Sequence, residues 1–137
     1  MKYLLDTNIL SETRKKAPAP QLLDWMDSVD QKDLFVSVLT IGELTKGIEL
    51  RRRSDPRAAA SLEHWLQGLG KLFSDHIIGI DADIAATWGR MNARRTFPVI
   101  DSLLAATAQV RVLTLVTRNI RDIEDTGVAY LNPWIDV

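Results

Sequence analysis

Five short apolar runs constrain the fold of this chain more than any other feature. They are Lys2–Leu5, Leu34–Val38, Ile77–Ile80, Val112–Val116 and Val128–Leu131. Three stop at polar, turn-forming residues: the first at Asp6, the third at Asp81 and the fourth at Thr117-Arg118-Asn119. Near-continuous apolarity over so few residues marks strands buried on both faces, not strands with one wet face. The segments between them have helical period. Pro20 suits the first turn of a helix over about Gln21–Val29, with Leu22, Leu23, Trp25 and Met26 as its apolar face. Further helices are predicted over Leu39–Arg52, Ala58–Phe73, Ala82–Arg95 and Ile100–Val110, and a short one before the last strand. Asp6-Thr7-Asn8 offers turn and cap chemistry before Ile9 and Leu10. Strands alternating with helices imply a parallel sheet covered on both sides. The expected fold is therefore α/β, a three-layer α/β/α domain with a short parallel sheet of about five strands.

Length and composition narrow the function. A chain of 137 residues favours one domain spanning 1–137, and 46% hydrophobic content can fill its core. Its 17 basic and 18 acidic residues leave a net charge of −1, so there is no global attraction to nucleic acid or to acidic membranes. Any nucleic-acid surface has to be a local basic patch. The absence of cysteine excludes disulfides, thiolate metal sites and cysteine nucleophiles. No stretch approaches the roughly 20 apolar residues that span a bilayer, and Asp6 interrupts the first apolar run too early for a signal peptide. The expectation is a soluble, cytoplasmic protein with no membrane partner.

The placement of the acids carries the chemistry. Asp6 follows the first strand, Glu43 lies early in the helix after the second, and Asp101 opens the helix after Pro98. Asn119 and Asp122 follow the fourth strand. Ligands of open α/β sheets bind outside the carboxyl ends of the strands, which is where all five positions fall. Clustered carboxylates repel one another, and a divalent cation relieves the repulsion. Oxygen ligands without Cys or His favour Mg²⁺ or Mn²⁺. A cation so held activates water and neutralises charge on a phosphate, which suits phosphodiester hydrolysis. Each acid also has a plainer reading. Asp6 can cap a helix, Thr40-x-x-Glu43 has the form of a capping box, Asp101 complements a helix dipole, and Asp122 can be solvated.

At these residues a family resemblance emerges. Leu4-Leu5-Asp6-Thr7-Asn8-Ile9-Leu10 resembles the opening motif of PIN domains, and Ser37-x-x-Thr40-x-x-Glu43-Leu44 the second. The run Val99–Ala108, with Asp101, resembles the third, and Leu115-Val116-Thr117-Arg118-Asn119 the fourth. The ending Leu131-Asn132-Pro133-Trp134 is similar to that of VapC-type toxins. The resemblance implies a metal-dependent endoribonuclease, the toxin of a type II toxin–antitoxin pair, with Asp6, Glu43 and Asp101 as ligands of Mg²⁺ or Mn²⁺. Many PIN domains have Asp where this chain has Asn119, so Asp122 is a candidate to supply that carboxylate. Thr7, Asn8 and Thr117 are implied to orient the acids or a bound water. The resemblance further implies RNA as substrate, a VapB-like antitoxin blocking the acidic site, and a homodimer or a hetero-oligomer with that antitoxin.

The basic residues cluster at Arg14-Lys15-Lys16, Arg51-Arg52-Arg53 and Arg90 with Arg94-Arg95. They read either as an RNA track or as solvated helix ends, the latter ahead for Arg51–Arg53. Trp65 and Trp88 fall on apolar helical faces and are expected in the core, whereas Trp25 is a candidate to line a partner groove. His64 and His76 lack partners at ligand spacing. Phosphatases of the haloacid dehalogenase type need a second Asp where this chain has Asn8, and a receiver domain needs a later Lys that is missing near Thr117. The remaining alternative is a catalytically inactive PIN-like binding scaffold, which the retained acids disfavour.

Overall fold

The computed structural model describes residues 1–136. All five predicted strands form: β1 (Tyr3–Leu5), β2 (Leu34–Ser37), β3 (Ile77–Ile78), β4 (Thr114–Val116) and β5 (Tyr130–Leu131). They make one sheet in the order β3-β2-β1-β4-β5, and every pairing is parallel. Six α-helices accompany it: α1 (Thr7–Thr13), α2 (Pro20–Ser28), α3 (Val38–Arg52), α4 (Pro56–Leu72), α5 (Ala82–Arg94) and α6 (Val99–Arg111).

The strand side chains explain why the runs are apolar throughout. Leu4 joins a core with Ile84, Met91, Leu104 and Leu115, beneath α5 and α6. Its neighbour Leu5 joins the opposite core with Ile9, Leu22, Leu34, Leu44 and Val116, beneath α1 to α4. The alternation recurs at Phe35 and Val36, at Ile77 and Ile78 and at Leu115 and Val116, so β1 to β4 feed both layers at period two. In α6, Ala105, Ala106 and Ala108 are fully buried, and their small side chains let that helix lie close to the sheet. The chain builds β1, β2 and β3 outward in one direction, then crosses to place β4 on the other side of β1. The switch point therefore lies at the carboxyl ends of β1 and β4.

Three expectations change. The short α1 was legible only as turn and cap chemistry, because seven residues are too few to show a period. The short helix before β5 is instead two 3₁₀ turns, Ile120–Asp122 and Glu124–Thr126. Val112, predicted to start β4, is the left-handed cap of α6, with φ 57° and ψ 53°. The Leu113 amide donates to the Ala108 carbonyl across it at 2.8 Å, a closure that glycine usually makes. Val112 is 86% exposed, so its branched side chain gains no burial to offset the strain. Val112→Gly is expected to stabilise the fold by about 0.5–1 kcal/mol. Urea unfolding should show a higher midpoint at an unchanged slope.

Candidate active site

The acids meet at the switch point, and the loops after β1 and β4 position them. Asp6 extends the strand pairing, its amide donating to the Val116 carbonyl at 2.9 Å, and it then caps α1. Its Oδ1 accepts from the Thr7 amide at 2.6 Å. Its Oδ2 accepts from the Thr117 hydroxyl at 2.6 Å and from Asn8 Nδ2 at 3.2 Å. These donors take three of about four lone-pair sites and leave the charge uncancelled. Burial pushes the Asp6 carboxyl above its usual range; the bonds from Thr117 and Thr7 oppose this, and the charge of Glu43 adds to it. The plainer reading of Asp6 as a cap thus holds geometrically beside its place in the cluster.

Glu43 lies in the second turn of α3, and its Oε1 accepts from the Thr7 hydroxyl at 2.5 Å. That hydroxyl also lies 3.2 Å from Oγ1 of the buried Thr40. The capping-box reading fails here: Ser37 caps α3, its Oγ accepting from the Leu39 amide at 3.0 Å. Asp101 sits in the first turn of α6. The entry to that helix is pinned by the buried Ser102, whose Oγ donates to the Pro98 carbonyl and accepts from Trp88 Nε1 at 3.0 Å.

Asn119 ties the far side together. Its Nδ2 donates to Asp101 Oδ2 at 3.3 Å and to Asp122 Oδ2 at 2.7 Å, and its amide donates to Thr117 Oγ1 at 3.0 Å. One hydrogen-bonded chain thus runs from Glu43 through Thr7, Asp6, Thr117 and Asn119 to Asp101 and Asp122. All eight candidate residues are brought together, counting Asn8. Sequence reasoning missed Thr40 as a neighbour of Thr7; its only signal was membership of the same motif as Glu43. No carboxylate of the cluster has an ion-pair partner among the described residues.

The uncompensated charge is visible at Asp101. Burial first, then the charges of Asp6, Asp122 and Glu43, push its carboxyl up to about 6. In the unfolded chain it ionises near 3.8. Between these values the folded chain holds a proton that the unfolded chain has lost. The associated stability is complete below about pH 3.8 and is lost as pH rises through about 6. The metal-free protein should therefore lose melting temperature across this window relative to Asp101→Asn, whose profile lacks this component. Parallel profiles for the two proteins would contradict the assignment.

The donor set fits a hard divalent cation held partly through water. Every candidate ligand is an oxygen, and the acids repel one another without an internal counter-ion. Among the described residues no three Asp, Glu or His side chains converge tightly enough to grip one ion directly. Mg²⁺ is commonly held by one or two carboxylates and keeps several waters, so this spacing suits it.

Beside Glu43 a groove of about 360 Å³ runs between α1, α3 and α4. Leu44, Ile48, Leu62 and Trp65 give it an apolar lining, and Arg14 and Arg51 stand at its edge. Trp25 is not in it. That ring is 6% exposed and packs edge-on against Tyr3, with centroids 5.1 Å apart, so the expectation of a groove residue is corrected to a core residue. Trp88 is partly buried against the core beneath α5 and α6, whereas Trp65, expected in the core, packs against the other core with one side and lines the groove with the other. Arg52 faces Glu49 and Glu63, and Arg51 faces Asp55, in keeping with a solvated helix end. No helix among the described residues is long and apolar enough to cross a membrane.

An open parallel sheet with carboxylates gathered at its switch point defines a class of small α/β domains, and the comparisons place the chain within it. Residues 3–128 match the PIN domain, and the chain belongs to that family. It is 30% identical over 138 residues to toxin FitB of Neisseria gonorrhoeae, covering 97% of this chain and 99% of that protein. It is 29% identical to the tRNA(fMet)-specific endonuclease VapC of Shigella flexneri, covering 98% of each. The crystal structure of FitAcB from Neisseria gonorrhoeae superposes with a TM-score of 0.90 at 29% identity, covering 97% of this chain and 99% of that one.

Proposed function

We propose that this chain, as one PIN domain over 1–137, is a metal-dependent endoribonuclease and the toxin of a type II toxin–antitoxin pair. The observation that carries the reading is the hydrogen-bonded chain that gathers Glu43, Asp6, Asp101 and Asp122 at one sheet edge, with no ion-paired Lys or Arg on any of them among the described residues. Asp6, Glu43 and Asp101 would hold Mg²⁺ or Mn²⁺ partly through its bound waters, and Asn119 and Asp122 would complete the pocket. Bound there, the cation supplies an activated water and neutralises charge developing on the phosphate. Glu43 has one oxygen engaged by Thr7, and its other oxygen would bind the cation or position the attacking water. Thr7, Asn8 and Thr117 donate to the Asp6 carboxylate, which opposes the effect of its burial and fixes its orientation. The relatives named as toxin and as endonuclease support an RNA substrate.

Metal titration separates this reading from an inactive scaffold. Mg²⁺ or Mn²⁺ at about 100 times its dissociation constant should stabilise the fold by about 2.7 kcal/mol. A scaffold without a working cluster gains nothing.

The groove beside Glu43 suits the C-terminal segment of a VapB-like antitoxin, with apolar side chains on its floor and a basic one reaching the acids. Gly47 lines this groove, and a Cβ there meets nothing within 4 Å. Gly47→Phe is expected to fill the groove and abolish co-purification with a cognate antitoxin while sparing RNA cleavage. Unchanged co-purification would place the partner elsewhere. The assembly is a homodimer or a hetero-oligomer with the antitoxin, and its setting is the cytoplasm.

A further inference from the structure

Arg118 stands between the two residues that knit the acids together. Thr117 on one side holds Asp6, and Asn119 on the other holds Asp101 and Asp122. The Arg118 amide donates to Asn8 Oδ1 at 3.4 Å, and the Asn8 nitrogen reaches Asp6. The root of this side chain is therefore tied to the carboxylate cluster.

Its guanidinium goes elsewhere. It lies over the Trp134 ring, 4.9 Å from the centroid, and the residue is exposed. Trp134 is itself fixed: its amide donates to Asn132 Oδ1 at 2.9 Å, and its ring packs against the core beneath α1 to α4. No ion pair joins Arg118 to Asp6, Glu43, Asp101 or Asp122 among the described residues. Its charge reaches Glu12 only weakly, and that carboxyl is already held by Lys15 at 2.9 Å and by the Ala19 amide at 3.0 Å. Arg51, Arg52, Arg95 and Arg111 each face a carboxylate, whereas Arg118 has no ion-pair partner among the described residues.

A guanidinium with one face on tryptophan has its orientation set in advance and keeps its edge donors free. Those donors match a phosphate in bidentate fashion. The need for such a group is plain, because a cluster of acids repels a polyanion along the whole strand and not only at the bond to be cut.

We propose that Arg118, seated on Trp134, is a substrate-positioning residue that grips an RNA phosphate next to the scissile one. This inference rests on the ribonuclease reading, since that reading supplies the strand. The Trp134 ring acts as a rest for the guanidinium. Neither residue takes part in the chemical step.

The test uses a short single-stranded RNA that the wild-type protein cleaves. Initial rates give kcat and KM, and binding of the same labelled RNA is measured in proteins that also carry Asp101→Asn. Arg118→Ala is expected to raise KM and Kd about tenfold or more, with kcat little changed. It should also flatten the dependence of log Kd on log salt by about 0.7, the share of one phosphate contact on a single strand. Arg118→Lys should restore the salt slope but not the full affinity. Trp134→Leu should weaken binding about two- to fivefold, and Trp134→Phe less. Melting temperatures of the four variants separate these effects from unfolding.

An unchanged KM and salt slope in folded Arg118→Ala overturns the proposal. So does a fall in kcat at constant KM, or a loss confined to antitoxin binding. If the wild type binds RNA through Arg118 but neither cuts any RNA nor gains stability from Mg²⁺ or Mn²⁺, the ribonuclease reading fails and the phosphate grip stands.

Discussion

Asp101→Asn is expected to abolish RNA cleavage and, in the same protein, to raise the melting temperature measured in EDTA. The two effects have one cause. Asp101 is partly buried among Asp6, Asp122 and Glu43, and its carboxyl is pushed up to about 6. In EDTA at neutral pH the cluster therefore holds a charge that the fold disfavours. A rise from 3.8 to about 6 corresponds to about 3 kcal/mol for a fully buried group. Asp101 is partly solvated and screened, so about 1 kcal/mol, or about 4 °C, is the expected gain. Asparagine keeps an oxygen that can accept from Asn119 Nδ2, so the bridge to Asp122 survives. Removing one ligand charge should cost several kcal/mol of transition-state stabilisation, a drop of about a thousandfold or more in kcat/KM. Saturating Mg²⁺ should reverse the order of stability, because only the wild type then gains fully from the cation. Scanning calorimetry with and without Mg²⁺ reads both halves. A variant that melts lower than wild type in EDTA would contradict the electrostatic account.

Thr117→Val is expected to have the next largest effect, although Thr117 has no charge. The substitution keeps the shape and removes the hydroxyl. That hydroxyl donates to Asp6 Oδ2 at 2.6 Å, accepts from the Asn119 amide at 3.0 Å and lies 3.4 Å from Asn8 Nδ2. Thr117 is 1% exposed, so water does not replace these partners. Leaving them unpaired should destabilise the fold by about 1–3 kcal/mol. Among the groups that oppose the effect of burial on Asp6, Thr117 is the strongest. Its loss drives that carboxyl further toward the protonated form, which weakens cation binding. Activity should fall about 10–100-fold, with a higher Mg²⁺ midpoint. Thr117→Ser, which retains the oxygen, should recover most of both. Wild-type metal dependence in Thr117→Val would show that the hydroxyl does not tune Asp6.

The legible parts of this protein were those that depend on local pattern. Leu4 and Leu5 face opposite cores, so the first strand had to read as apolar throughout, and β1 followed from that. Once the strands were placed, the sheet rule put Asp6, Glu43, Asp101 and Asp122 on one edge without any knowledge of contacts. The illegible parts depend on which segments meet. Thr7 engages Glu43 because α1 starts beside α3, and Asn119 bridges Asp101 and Asp122 because two 3₁₀ turns replace a regular helix after β4. Arg118 could not be told from any surface arginine until the last turn brought Trp134 beneath it. Val112 misled for a local reason: valine favours strands, and only the demand of α6 for a left-handed end places it outside β4. Trp25 misled because its position on α2 does not reveal that Tyr3 of β1 lies against it.

The most direct test of the central claim is cleavage of total RNA by antitoxin-free protein, run with Mg²⁺, with Mn²⁺ and with EDTA, beside Asp6→Asn. The account predicts discrete cleavage products that need the metal and vanish in the variant. Cleavage that persists in EDTA or in folded Asp6→Asn would contradict it, as would a wild-type protein that neither cuts RNA nor gains stability from either metal.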